Sequence, residues 1–215
     1  MNTFRVFLVS LALACQAAVA HEPVQTIPEP GYRPSSIYAK AFLDNLDAAT
    51  IVVLPSVLRR SDRAAQSFES QSKIVELLNA RGDVTAISAM KRFDLGALRR
   101  EAQWDVFQFS MTKISESLAG FSTDADYILV MEFLVPGDQS VFGIQCYVLD
   151  RNGNNAFSFL LNSHHRLFAD EQLFADDASE KARTGMIQRA TRIAIEAFDR
   201  QIQLAREIGD QAPVT

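Results

Sequence analysis

The residues in this chain that invite a chemical reading are few. The stretch "NSHHRLFADE" sets His164 and His165 a short distance before Asp170 and Glu171. His and carboxylate groups in that density suit a metal site or general acid–base work. The strand-like run "YILVMEFLV" places one acid, Glu132, among apolar neighbours, where burial would raise its pKa. Two cysteines, Cys15 and Cys146, complete the set.

Each reading weakens on inspection. Adjacent histidines on a strand point to opposite faces, so His164 and His165 do not converge on one ion without a bulge or loop. No HExxH or CxxC spacing and no second histidine cluster completes a site. The chain holds no GxSxG elbow, no GxxxxGK[ST] loop and no GxGxxG turn. For Glu132 the simpler account is a carboxylate near the end of a sheet, paired with an arginine or reaching water. The reading is therefore of no catalytic residue, no cofactor and no metal ligand. The rival reading is an exported hydrolase or small-ligand binder that uses Glu132 or the region of His164 and His165.

Compartment follows from the N-terminus. Arg5 supplies a positive start, residues 6–14 are apolar apart from Ser10, and Ala18-Val19-Ala20 offers small side chains to a signal peptidase. That run is shorter than the about 20 apolar residues a spanning helix needs. Cleavage is expected between Ala20 and His21. The alternative is lipidation at Cys15, because Ala12-Leu13-Ala14-Cys15 resembles a lipoprotein box with its first two positions exchanged. Only in that case would the protein contact a membrane.

The formal charge is −5, from 21 cations and 26 acids, and loss of residues 1–20 with Arg5 takes it to −6. That balance argues against nucleic acid, which is bound through clustered Lys and Arg. The pairs Arg59-Arg60 and Arg99-Arg100 are too short for a polybasic patch and read as solvated loop or helix-end residues. With Cys15 removed, Cys146 has no disulfide partner, and the hydrophobic core must hold the fold alone.

The elements that must position these residues read in order. Residues 21–35 carry Pro23, Pro28, Pro30 and Pro34, a linker composition. Residues 36–46 suggest a short helix with Ile37, Phe42 and Leu46 to one side. "TIVVL" at 50–54 suits a central strand covered on both faces. A helix over 66–81, closed by Gly82, and a strand over 83–90 make a βαβ unit. Trp104, Phe107, Met111, Ile114 and Leu118 form one helical stripe, closed by Gly120. Strands follow at 127–135, 141–149 and 156–168, the last two joined through Asn152-Gly153 in the manner of a type I′ hairpin. Phe142, Ile144, Cys146 and Val148 are expected on one core-facing side. Asp177 and Glu180 resemble a capping box before a final helix. The expected organisation is a signal peptide over 1–20, a linker over 21–35, one α/β domain over 36–208 and a disordered tail over 209–215. The domain's order is β-α-β-α-β-β-β-α around a mixed sheet.

That order, with "VVLP", "VELLNARGDVTAIS", "ADYILVMEFLV" and "YVLDRNGNNAF", resembles a group of envelope proteins. The group holds the TolB N-terminal domain, CsgG and small lipoproteins of the LpoB and PelC type. Leu54-Pro55, Gly82, Asp124 to Tyr127 and the Asp150 to Gly153 turn carry the likeness, whereas Ser56 stands where the group has Phe. The resemblance implies a non-enzymatic accessory domain in the bacterial periplasm, or on an outer-membrane lipoprotein facing it. It implies binding to an envelope protein partner, with homo-oligomers among the assemblies such proteins make. No functional residue transfers by motif.

Overall fold

The computed structural model describes residues 36–98, 103–137, 139–162, 165–169, 171 and 173–211. The chain divides into two compact units, Met1–Gly31 and Tyr32–Thr215, and every described residue lies in the second. The expected signal, its cleavage point at Ala20 and His21, Cys15, Arg99, Arg100 and His164 fall outside the described residues.

Helix α1 (Ser36–Asn45) leads into β1 (Thr50–Val53), β2 (Ser56–Arg59) and β3 (Ala64–Ser67). Then come α2 (Phe68–Arg81), β4 (Thr85–Ser88), α3 (Gln103–Leu118), β5 (Tyr127–Leu134), β6 (Gly143–Asp150) and β7 (Asn155–Asn162). A single turn, α4 (Arg166–Ala169), precedes the long α5 (Glu180–Gln211), which runs into the stretch expected as a tail. Among the described residues seven strands form one mixed sheet with helices packed on it, so the α/β class read from the sequence holds.

The middle of the sheet belongs to β5, whose side chains are all buried. One of its edges pairs antiparallel with β6 over the full length, and β6 pairs with β7. Its other edge is shared in parallel by β1 and β2. These two are one line of chain broken at Leu54-Pro55. Val53 stands opposite Leu129 and Val57 opposite Glu132, so four steps on one side match three on the other. Proline at such a bulge withholds no ladder bond the sheet needs. β1 is thus interior as expected, with β4 parallel on its outer side, while β2 carries β3 antiparallel.

The hairpin β2–β3 was not expected, and Gln66 belongs to β3 rather than to the helix after it. Where β4 ends and β3 begins, glutamine amides span the gap. Gln71 Nε2 donates to Val53 O at 2.7 Å and to Ala89 O at 2.9 Å, and Gln66 Nε2 donates to Lys91 O at 3.2 Å. Ser67 caps α2 through Ser70 N–H, and Gly82 closes it at a φ of 79°, a region open to glycine.

Helices cover both faces. On one face Phe42 of α1 and Leu46 just after it, Ile74 and Leu78 of α2, and Met186, Ala190, Ile193, Ala197 and Phe198 of α5 pack on Leu129, Met131, Phe133, Cys146 and Phe157. On the other, Phe107, Met111, Ile114 and Leu118 of α3 cover Val52, Ile128, Val130, Tyr147 and Leu149, with Trp104 half-buried at the start of the stripe. Each fully buried Val, Leu, Ile, Phe or Met among them contributes about 1.5–3 kcal/mol by leaving water.

Several local expectations are corrected. β6 starts at Gly143, and Phe142 is 53% exposed rather than part of the core face. β7 ends at Asn162 instead of reaching 168, because the chain turns there into α4. The β6–β7 hairpin forms at the expected place, but Gly153 alone has positive φ, so the turn is not type I′. The Asp150 carboxylate organises it instead, accepting from Asn152 N–H at 2.8 Å and Asn154 N–H at 2.9 Å. Ser179, not Asp177, caps α5, its Oγ accepting from Ala182 N–H at 3.2 Å, while Asp177 holds Ser179 N–H at 2.7 Å.

Candidate functional site

The side chains of Val130, Glu132, Gln145, Tyr147, Val57 and Arg59 alternate toward α3, since residues two apart on a strand share a face. Glu132 stands opposite Val57 on one side and Gln145 on the other, which brings the polar members together in the middle of the sheet. α3 closes over them with Ser110.

Glu132 is 0% exposed and Arg59 2%. Arg59 Nη1 donates to Glu132 Oε1 at 3.2 Å and to Ser110 Oγ at 2.8 Å. Its Nη2 reaches Ala97 O at 3.5 Å, and its guanidinium lies over the Phe109 ring at 5.3 Å. The Tyr147 hydroxyl sits 2.9 Å from Glu132 Oε2 and 2.5 Å from Gln145 Oε1, and its ring stacks on Phe107 at 5.1 Å. Arg59 Nε is buried without a partner.

Burial pushes the Glu132 carboxyl above its ordinary range, with Arg59, Ser110 and Tyr147 pulling the other way. Burial and the neighbouring Glu132 charge push the Tyr147 phenol well up. The arrangement is a desolvated ion pair inside a hydrogen-bond network, walled by the sheet and α3. Proton transfer to a substrate needs an approach within hydrogen-bond reach, and Glu132, Arg59, Ser110, Gln145 and Tyr147 are all buried.

The other sequence-chosen residues lie apart from this cluster. His165 precedes α4, where its Nδ1 accepts from Leu167 N–H at 3.3 Å. Burial, then the charge of Arg200, lowers its pKa. It therefore sits in a turn and not on a strand. Glu171 lies in the irregular stretch beyond α4. Cys146 is buried on the opposite sheet face, and burial raises its thiol well above the ordinary value. Among the described residues no group of three His, Cys, Asp or Glu side chains is placed to hold a metal ion, and no helix is long and apolar enough to cross a membrane.

Two surface depressions lie elsewhere. One, of about 550 Å³, is lined by Asp44, Asp47, Asp126, Tyr127, Asp150 and Arg151 among others. Its acids are already engaged. Asp44 accepts from Lys40 at 2.7 Å, Asp47 from Arg206 at 2.9 Å, and Asp126 from Arg151 and from Thr50 N–H, both at 2.9 Å. The other, of about 320 Å³, is lined by Arg60, Ser61, Asp62, Arg63 and Pro136.

The sequence reading had Glu132 either paired with an arginine or reaching water, and took Arg59 for a solvated residue; the structure buries both and pairs them. The available signal was alternation. Arg59 follows Val57 by two residues in "SVLR", and Tyr147 follows Gln145 by two on the face opposite Cys146.

No family model matches the chain, and no curated protein matches it. Solved structures do. The LpoB C-terminal domain from Salmonella enterica aligns at 13% identity over 59% of this chain and 91% of that one, with a TM-score of 0.35. The corresponding Escherichia coli domain aligns at 11% identity over 57% and 92%, with a TM-score of 0.32. Lipoprotein GNA1162 from Neisseria meningitidis aligns at 13% identity over 72% and 96%, with a TM-score of 0.29. LpoB is one of the proteins named in the sequence resemblance. At these TM-scores the matches assign neither family nor function.

Proposed function

We propose that this chain is an exported, non-enzymatic accessory domain of the bacterial cell envelope that works by binding another protein. What carries the reading is a contrast between interior and surface. The one fully buried acid among the described residues, Glu132, is spent on Arg59 and Tyr147 inside the fold. The surface meanwhile leaves large apolar side chains in water: Ile87, Met90, Phe109, Phe142 and Phe174. Apolar side chains that the fold leaves uncovered suit a docking partner better than a small substrate. The N-terminal export pattern and the resemblance to the TolB N-terminal and CsgG-like group point the same way. In this reading residues 1–20 direct export, cleavage after Ala20 leaves His21 as the mature start, and residues 21–35 lead into the domain. A lipid at Cys15 would instead tether it to the outer membrane.

The test places a photo-crosslinking amino acid in turn at Ile87, Met90, Phe142 and Phe174 in cells of the source organism, with fractionation and intact-mass measurement of the native protein. Adducts with an envelope protein in the periplasmic fraction are expected, on a chain beginning at His21. A hydrolytic activity of the purified protein that disappears in Glu132→Gln would overturn the non-enzymatic reading. A species beginning at Cys15 with acyl mass would overturn the soluble one.

A further inference from the structure

Strand β4 has β1 on one side and, among the described residues, no strand on the other. Thr85 N–H donates to Ala49 O at 2.9 Å and Ala89 N–H to Val53 O at 3.2 Å. Alternation then turns the backbone groups of Ala86 and Ser88 outward. The two positions fare differently. The Asn79 side-chain amide takes both the N–H and the carbonyl of Ala86, whereas no described residue bonds the outward backbone of Ser88.

Around this opening the side chains share one character. Ile87 is 45% exposed and Met90 67%. Lys91 and Arg92 follow directly, and neither has an ion-pair partner among the described residues. By contrast Lys40, Lys73, Lys113, Arg151 and Arg206 are each paired with an acid. A basic and apolar strip on a chain of net charge −5 selects for the opposite charge.

We infer that the outward backbone of Ser88 at the end of β4, with the residues that follow it through Arg92, docks an extended segment of a protein partner that carries interspersed apolar and acidic residues. The inference rests on the protein-binding reading above and names its surface. The segment adds a strand at Ser88, lays apolar side chains on Ile87 and Met90, and brings carboxylates to Lys91 and Arg92. Asn79 blocks the strand's earlier half, so the docked segment is confined to one register.

The probe is a pool of synthetic peptides alternating Val, Ile or Phe with Glu, titrated into isotope-labelled protein and followed by backbone amide shifts. Shifts should centre on Ser88 and its neighbours through Arg92 and vanish when the central apolar residues of the peptides are proline. The double variant Ile87→Ser, Met90→Ser should bind roughly tenfold more weakly, as loss of an apolar anchor does. The double variant Lys91→Glu, Arg92→Glu should lose the Glu peptides and take up matching Lys peptides. Circular dichroism establishes that both variants are folded. Shifts confined to other surfaces, or equal binding of Glu and Lys peptides, would overturn the inference. So would concentration-dependent self-association abolished by Ile87→Lys, which would assign the edge to a second copy. Crosslinks to an envelope protein at Phe142 or Phe174 but none at Ile87 or Met90 would leave the general function standing and remove this surface from it.

Discussion

Asn79 and Ala86 form a two-bond clasp across the edge of the sheet. The Asn79 amide nitrogen donates to the Ala86 carbonyl at 2.9 Å, and the Ala86 N–H donates to Asn79 Oδ1 at 2.8 Å. A side chain from α2 thereby imitates the next strand and denies Ala86 to any other chain, one of the ways sheets suppress edge-to-edge association.

Replacing Asn79 by Ala removes both bonds and exposes the Ala86 edge. Each bond contributes about 0.5–1.5 kcal/mol, and the better helix propensity of Ala returns about 0.5 kcal/mol. A net loss of about 1 kcal/mol is expected in urea unfolding. Sedimentation should show association that rises with concentration. A variant as stable and as monodisperse as the wild type would mean the clasp does neither job.

The Arg59–Glu132 pair predicts strong non-additivity. Arg59→Met leaves a buried carboxylate and Glu132→Leu leaves a buried guanidinium, so each single change should cost about 3–5 kcal/mol. The double variant leaves neither and should recover most of that loss. Urea unfolding of all four proteins tests this, and losses that simply add would show that the two groups do not depend on each other.

Glu132 also predicts a pH dependence with a definite sign. Burial raises its folded value above the ordinary 4.5, so the native state holds the proton over a window in which the unfolded chain has released it. Its contribution is fully present below 4.5 and is lost as pH rises through the folded value. Glu132→Gln lacks this titration. The stability of the wild type relative to that variant should therefore fall as pH rises from about 4.5. A difference constant across the window would refute the raised value.

Cys146 should be chemically silent in the folded protein. It is buried among apolar side chains with its thiol pushed well up, and the thiolate is the reactive species. Maleimide labelling followed by peptide mass should leave Cys146 unmodified under native conditions and modify it fully in denaturant. Rapid native labelling would place it at the surface.

Where a segment carried its own periodic signal, the sequence was enough to place it. The α3 stripe from Trp104 to Leu118 and the doubly buried β5 are such cases, because burial on one or both faces writes itself into residue spacing. β2 and β3 left no such trace. Each has four residues, "SVLR" and "AAQS", and they are held by pairing across the sheet and by the Gln66 amide on Lys91, which are tertiary facts. The polar cluster failed to show for a related reason. A buried arginine is costly unless its partner is already in place, and Glu132 lies 73 residues away from Arg59 in the chain. The strand expected as far as 168 takes in the His165 turn because apolar residues resume at Leu167 and Phe168 beyond the polar residues 162–166, whereas the pairing of β7 ends at Asn162.

Because β5 alone joins β1 and β2 on one edge to β6 on the other, the order in which the chain emerges matters. A polypeptide leaving a ribosome or a translocation channel N-terminus first presents β1 to β4 well before Tyr127–Leu134. Until then neither β1 nor β2 has its interior neighbour, and Arg59 has no counter-charge. Closing those long loops carries an entropy cost that only the finished centre offsets. Completion of the sheet is therefore expected to wait on a single strand that arrives midway along the chain.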